Sequence, residues 1–176
     1  MVTYNDIKKD QEYKNDRGCC TVVATAIACQ IPFKTAQNYL FKLGRKRHQG
    51  FHFYRHFKAI GKQFGYDIKT YSPKFVKYKG FYFQDKESNS LNKKRLKKAT
   101  SLTVNNCIKH LPSVGTFVLH INGHVATLKD GVIQDWSRGR RFSIFRVYKF
   151  EKIQKIKKKN KTSKISSGYN FSQFIK

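Results

Sequence analysis

Asn15-Asp16-Arg17-Gly18-Cys19-Cys20-Thr21-Val22-Val23-Ala24-Thr25-Ala26-Ile27-Ala28-Cys29 passes from a polar turn straight into a small, apolar segment. Asp16 to Gly18 are turn formers, and Cys20 to Cys29 reads as a helix. Ala24, Ala26 and Ala28 would let its backbone approach a sheet closely. Val22, Val23 and Thr25 are weaker helix formers, so packing must supply most of the stability. Ile31-Pro32 then stops the helix. A thiol at its first residue feels the positive end of the helix dipole, which favours a thiolate. Cys20 is therefore the candidate nucleophile. Cys19, one residue earlier on the turn, is its nearest rival. A small buried residue in a packed helix is the bland alternative for Cys20, and Cys29 at the far end reads as structural.

Downstream, Ala36, Tyr39, Leu40 and Leu43 recur at helical spacing, with Gly44 as a C-terminal cap. A basic loop, Arg45 to Gly50, leads to a third helix with Phe53, Phe57, Ile60 and Phe64 on one face and Gly65 after it. Tyr66 to Phe83 is aromatic and suits short strands. Leu102 to Leu111 reads as helical. From Thr116 the pattern becomes that of strands: Phe117 to Ile121, His124 to Leu128, Val132 to Trp136, and Phe142 to Phe150. Asn122-Gly123 and Asp130-Gly131 between the first three are hairpin signals, because both residue types accept a positive φ.

The second hairpin carries the chemistry. If Asp130-Gly131 is a two-residue turn, Lys129 faces Val132 and Ala126 faces Asp135. His124 is then the diagonal neighbour of Asp135 on the same face, roughly 7–8 Å away at the backbone. Slipping the turn by one residue would move Asp135 to the opposite face. On this register His124 supplies a base and Asp135 orients it. His120 has the same parity on the preceding strand and is an alternative base. Asp135 as a solvated carboxylate is the plain reading, and Trp136 either shields the pair or fills the core.

These stretches resemble a known group. Asn15 to Ala28 with Ile31-Pro32-Phe33 resembles the nucleophile helix of small papain-like proteins common in bacteriophages. Leu43-Gly44-Arg45-Lys46-Arg47 with Gly50 is similar to that group's Gly-Arg-Lys segment, and Gly123-His124-Val125 and Asp130-Gly131-Val132-Ile133-Gln134-Asp135 to its histidine and acidic strands. The order Cys, His, Asp also agrees with bacteriocin-processing peptidases. The resemblance implies an α+β papain-like fold, with a nucleophile helix packed on an antiparallel β-sheet. It implies Cys20 as nucleophile, His124 as base and Asp135 as orienting acid. Such enzymes usually place an oxyanion-hole Gln a few residues before the nucleophile. Here Lys14 and Asn15 stand there, so the Asn15 amide and the Cys20 backbone N–H are the candidate donors. The expected activity is that of a thiol hydrolase, a cysteine peptidase or isopeptidase acting on a protein or peptide, with no cofactor. The alternative is an inactive papain-like scaffold that binds nucleic acid or another polyanion.

That alternative rests on charge. The 176 residues hold 37 Lys and Arg against 10 Asp and Glu, a net +27, which attracts polyanions at long range without specifying a sequence. Nucleic acid, ribosomes and acidic proteins are the partners such a field suits, and a solubilising surface is the bland reading. Lys93, Lys94, Arg95, Lys97 and Lys98, in a basic insertion near 86–100, are candidate contacts. So are Lys157, Lys158 and Lys159, in a lysine-rich tail at 152–176 that follows a domain at 1–151. Tyr78, Phe81, Tyr82 and Phe83 offer stacking faces nearby, although core packing explains them more simply. His48, His52 and His56 recur every four residues, but Gly50 interrupts any helical stripe, and Cys107-x-x-His110 occurs once, so no metal site is expected. No apolar run reaches the roughly 20 residues that cross a bilayer. Met1 to Asp10 lacks the apolar core of a secretory signal, so reduced cysteines and a cytoplasmic location are expected. If the chain is phage-encoded, that means the host cytoplasm or the virion.

Overall fold

The computed structural model describes residues 1–76, 80–84 and 102–153. Two short helices come first, α1 at Tyr4–Ile7 and α2 at Gln11–Lys14. Each begins at a side-chain cap. Thr3 and Asp6 form a reciprocal capping box on α1, and Asp10 accepts from the Glu12 N–H at 2.8 Å on α2. The apolar run becomes α3, Cys20–Cys29, closed by Gln30 in a left-handed conformation. α4, Phe33–Lys42, starts directly after Pro32, and α5, Phe53–Phe64, ends at Gly65 with φ +75°. These three helices fall where the apolar spacing predicts them.

The strands are β1 (Tyr66–Val76), β2 (Gly80–Gln84), β3 (Thr116–Ile121), β4 (His124–Lys129), β5 (Val132–Ile133) and β6 (Ile144–Lys152). They form one six-stranded sheet in the order β2-β1-β6-β3-β4-β5, with every pairing antiparallel. The protein is thus α+β. β6 runs through Lys152, which pairs with Tyr66, so this first residue of the expected tail belongs to the sheet. The insertion residues Lys93, Lys94, Arg95, Lys97 and Lys98 and the tail residues Lys157, Lys158 and Lys159 lie outside the described residues.

Both sheet faces are covered. On one face α3, α4 and α5 pack over Val118, Val125, Tyr148 and Phe150. Nine of the ten α3 residues are buried there, which is why a helix of weak intrinsic propensity holds its shape. Burying each Val or Ile side chain stabilises by about 1.5–3 kcal/mol. Phe53 and Phe57 meet the fully buried Tyr148 ring at 5.1 and 4.9 Å between centroids. On the other face Phe117, Leu119, Ile121, Ala126 and Leu128 meet Leu102, Val104, Cys107 and Leu111.

The segment Leu102 to Leu111 corrects an expectation. It is no α-helix: Thr103 bridges to Ser143, and only Cys107–Lys109 is helical, as a short 3-10 helix. The reason is local. The Thr103 N–H donates to Asn106 Oδ1 at 2.7 Å and the Asn106 N–H to Thr103 Oγ1 at 3.3 Å, a reciprocal turn that competes with a helix. The backbone donors then go to the chain before β6: Val104 N–H to Phe142 at 3.0 Å and Asn105 N–H to Arg140 at 2.9 Å. The apolar residues are buried as a helix would have buried them, by a different path.

Candidate active site

The Asp130-Gly131 turn has the expected two-residue form. Asp130 (φ +47°) and Gly131 (φ +77°) both take positive φ, and Lys129 pairs with Val132. At the other hairpin only Gly123 does (φ +65°). β5 itself is shorter than expected: its ladder stops at Ile133, one last bond runs from the Gln134 N–H to the Thr127 carbonyl at 2.7 Å, and Asp135 opens a turn. The register still carries Asp135 to His124. Asp135 Oδ2 lies 2.8 Å from His124 Nε2 and accepts the Ser137 N–H at 2.9 Å, which steers the carboxylate. Asp135 is only 6% exposed. Trp136, 55% exposed, sets its ring 5.0 Å from the imidazole, so it shields the pair rather than filling the core.

With Nε2 committed to Asp135, the opposite ring nitrogen of His124 is the one left for a thiol, and Cys20 is the thiol within hydrogen-bonding reach. Burial alone would push the Cys20 thiol up. The hydrogen bond to His124 and the imidazole charge outweigh it and hold the thiol below its ordinary range, with help from the Val125 N–H. That amide is available for a topological reason. A two-residue turn makes Ile121 and His124 the hydrogen-bonded pair, so Val125 turns its N–H away from β3, to the side where β5 has already ended. Thr21 also touches the sulfur, but its hydroxyl has one proton and donates it to the Phe51 carbonyl at 3.0 Å. For His124, burial works against protonation. Its hydrogen bonds to Asp135 and Cys20, and their charges, prevail and raise it to about 9. The two shifts favour one state, a thiolate beside an imidazolium.

The rival residues fall elsewhere. Burial and the Asp16 charge push Cys19 up to about 11, and burial pushes Cys29 and Cys107 up to about 12 each. His120 is packed between Tyr54 (5.9 Å) and Phe145 (6.4 Å), and its pKa is lowered by burial and Arg146. The His48, His52 and His56 stripe does not form. His48 sits in a loop with φ +61° and its Nδ1 accepts from the Arg17 N–H, His52 precedes α5, and His56 stacks on Phe51 at 4.5 Å. Asn15 is exposed at the end of α2, its Oδ1 facing Gln11 Nε2 at 3.4 Å, and the cleft is lined by its neighbour Lys14 instead.

Cys20, His124 and Asp135 line a cleft of about 630 Å³, with Lys14, Arg17, Gly18, Gly123 and Trp136 around them, a size that suits a short peptide segment. Tyr4 and Tyr13 form one wall, their hydroxyls 3.2 Å apart. Sequence reading missed them because the N-terminal arm looks like an isolated polar segment. In the fold its Tyr4 N–H donates to Gln134 Oε1 at 3.0 Å, directly beside Asp135, and its Val2 N–H donates to Gln30 Oε1 at 3.0 Å.

Sequence reading also missed the pin behind the nucleophile. Asp16 and Arg45 have fully buried side chains, bonded at 2.8 and 3.0 Å. Gln37 Nε2 and the His48 N–H complete four donors to the carboxylate, each at 2.9 Å. Burial alone would raise Asp16, and these donors lower it. The pair ties the turn before Cys20 to the loop at 45–50, where the Gly18 backbone (φ +67°) rests so closely on Gln49 that a Cβ would lie 3.3 Å from its carbonyl carbon.

No family model, curated protein or solved structure matches the chain. No helix among the described residues is long and apolar enough to cross a membrane.

Proposed function

We propose that this chain is a papain-like thiol hydrolase that cleaves an amide bond, as a cysteine peptidase or isopeptidase. The observation that carries the reading is geometric: Cys20, the first residue of α3, shares one open cleft with a His124 that Asp135 holds at 2.8 Å.

The Cys20 thiolate attacks the carbonyl carbon, a C–S bond forms, and the C=O π pair moves onto oxygen. The Cys20 N–H, first in α3 and without a helical acceptor, points a donor at that oxygen. Lys14, lining the cleft ahead of the turn, adds positive charge at the place where papain-like enzymes carry Gln. As the intermediate collapses, the C–N bond breaks and the imidazolium gives its proton to the leaving amine. Neutral His124 next takes a proton from water as the oxygen attacks the thioester. The C–S bond breaks, releasing the acid and restoring the ion pair. Asp135 keeps the imidazole oriented throughout.

The test is turnover of a library of fluorogenic peptides and isopeptides by wild type, Cys20→Ser and His124→Ala. Hydrolysis by wild type that both variants lose supports the reading. Equal hydrolysis by Cys20→Ser would overturn it.

A further inference from the structure

The cleft is chemically one-sided. Its two carboxylates are both committed inside the protein, Asp16 to Arg45 and Asp135 to His124. Lys14 and Arg17 line it and are exposed, and no carboxylate among the described residues lies within ion-pair distance of either. Immediately after Trp136 the chain reads Ser137-Arg138-Gly139-Arg140-Arg141-Phe142. This loop folds back on itself: the Arg138 N–H donates to the Asp135 carbonyl at 3.4 Å, and the Trp136 and Phe142 rings meet edge-on at 6.1 Å. Arg138, Arg140 and Arg141 are exposed on it, likewise with no ion-pair partner among the described residues. Trp136 and Phe142 stay 55% and 42% exposed. Lys14 and Arg17 thus line the cleft beside Trp136, and three more unpaired cations follow Trp136 within five residues of chain, on the loop that carries its aromatic partner Phe142.

We propose that these cations select an acidic polypeptide segment, one that carries Asp or Glu near the bond to be cut and an apolar side chain against Trp136. The proposal rests on the thiol-hydrolase reading and names its substrate class. A peptide suits the site better than a nucleic acid because the cleft holds Cys20 and His124, a pair that acts on a carbonyl, and because only Lys14 and Arg17 among its lining residues are free cations, too few for a continuous track of phosphates. Opposed charges of this kind act mainly on encounter and on selection among partners.

Trp136 is the single tryptophan of the chain and lies in the cleft, so its emission reports occupancy directly. The experiment titrates Cys20→Ser protein with end-capped peptides of one length whose flanking residues are all Glu, all Gln or all Lys, at low and high salt. The Glu peptide should bind about tenfold or more tighter than the Gln peptide, with the difference collapsing in salt. The triple variant Arg138→Glu, Arg140→Glu, Arg141→Glu, checked for an unchanged melting curve, should lose that preference and gain for the Lys peptide. Equal affinity for Glu and Gln peptides would overturn the proposal, as would a single-stranded oligonucleotide of matched charge displacing the Glu peptide at equal concentration. Turnover by wild type is read separately. Selective binding without turnover sinks the enzyme reading and keeps the selection by charge, whereas turnover indifferent to flanking charge does the reverse.

Discussion

His124 Nε2 lies 2.8 Å from Asp135 Oδ2 because the Asp130-Gly131 turn sets the pairing of β4 with β5. The contact outlasts the ladder that creates it. β5 ends at Ile133, yet the Thr127–Gln134 bond and the Ser137 N–H bring the carboxylate the rest of the way. The same early end of β5 frees the Val125 N–H for Cys20, so one short strand positions the base and helps the thiolate.

The four cysteines should therefore differ sharply in reactivity. Iodoacetamide at neutral pH should label Cys20 in the folded protein and leave Cys19, Cys29 and Cys107 unmodified, since those are buried and held at about 11, 12 and 12. In His124→Ala the Cys20 rate should drop by about tenfold or more, as the thiol reverts to a few per cent thiolate. Peptide mapping by mass spectrometry reads both outcomes. Uniform labelling of all four would contradict the assignment.

The pH dependence follows from the directions of the two shifts. Activity should rise as pH climbs through the lowered Cys20 value and fall again near 9, where the imidazolium is lost, both values belonging to the coupled pair. Stability carries its own sign. His124 binds its proton more tightly folded than unfolded, so its contribution is complete below 6.5 and disappears as pH rises through about 9. The melting-temperature gap between wild type and His124→Ala should accordingly shrink over that window.

Arg45→Ala strands the Asp16 carboxylate inside the protein and should cost about 3–5 kcal/mol in denaturant melts. Replacing both partners by apolar residues of similar volume should cost much less. Since the pair holds the turn before Cys20, that double variant should stay folded and still lose labelling rate at Cys20. Undiminished labelling would mean that the pin serves stability alone.

On a peptide with Gln at its flanking positions, Lys14→Met should lower kcat by about 10²-fold with little change in KM, the signature of charge acting on the transition state. Asn15→Ala should leave both unchanged, because that side chain faces Gln11 outside the cleft. The reverse pattern would return the oxyanion role to Asn15.

Much of this was legible from local chemistry. The Cys20 helix announces itself by its turn, its small residues and Pro32, and the His124–Asp135 contact follows from two turn residues and the period of a strand. What stayed hidden depends on distant pairing. Asp16 and Arg45 each sit in a segment that reads as a solvated turn or loop, and only the fold brings these residues, 29 apart, into one buried pair. Tyr4 and Tyr13 reach the cleft through an arm whose anchors, Gln30 and Gln134, carry no signal of that use. At Leu102 to Leu111 the apolar spacing suggests a helix, but the reciprocal Thr103–Asn106 bonds and pairing to the chain before β6 prevail.

The proposed reaction needs Cys20 as a thiolate paired with the His124 imidazolium. The ultraviolet absorbance of the thiolate, followed against pH in wild type and Cys20→Ser, tests it most directly. Wild type should show one thiolate already at neutral pH, and Cys20→Ser should lack it. A wild-type curve that overlays the variant at neutral pH, with thiolate appearing only in the ordinary thiol range near 9, would contradict it.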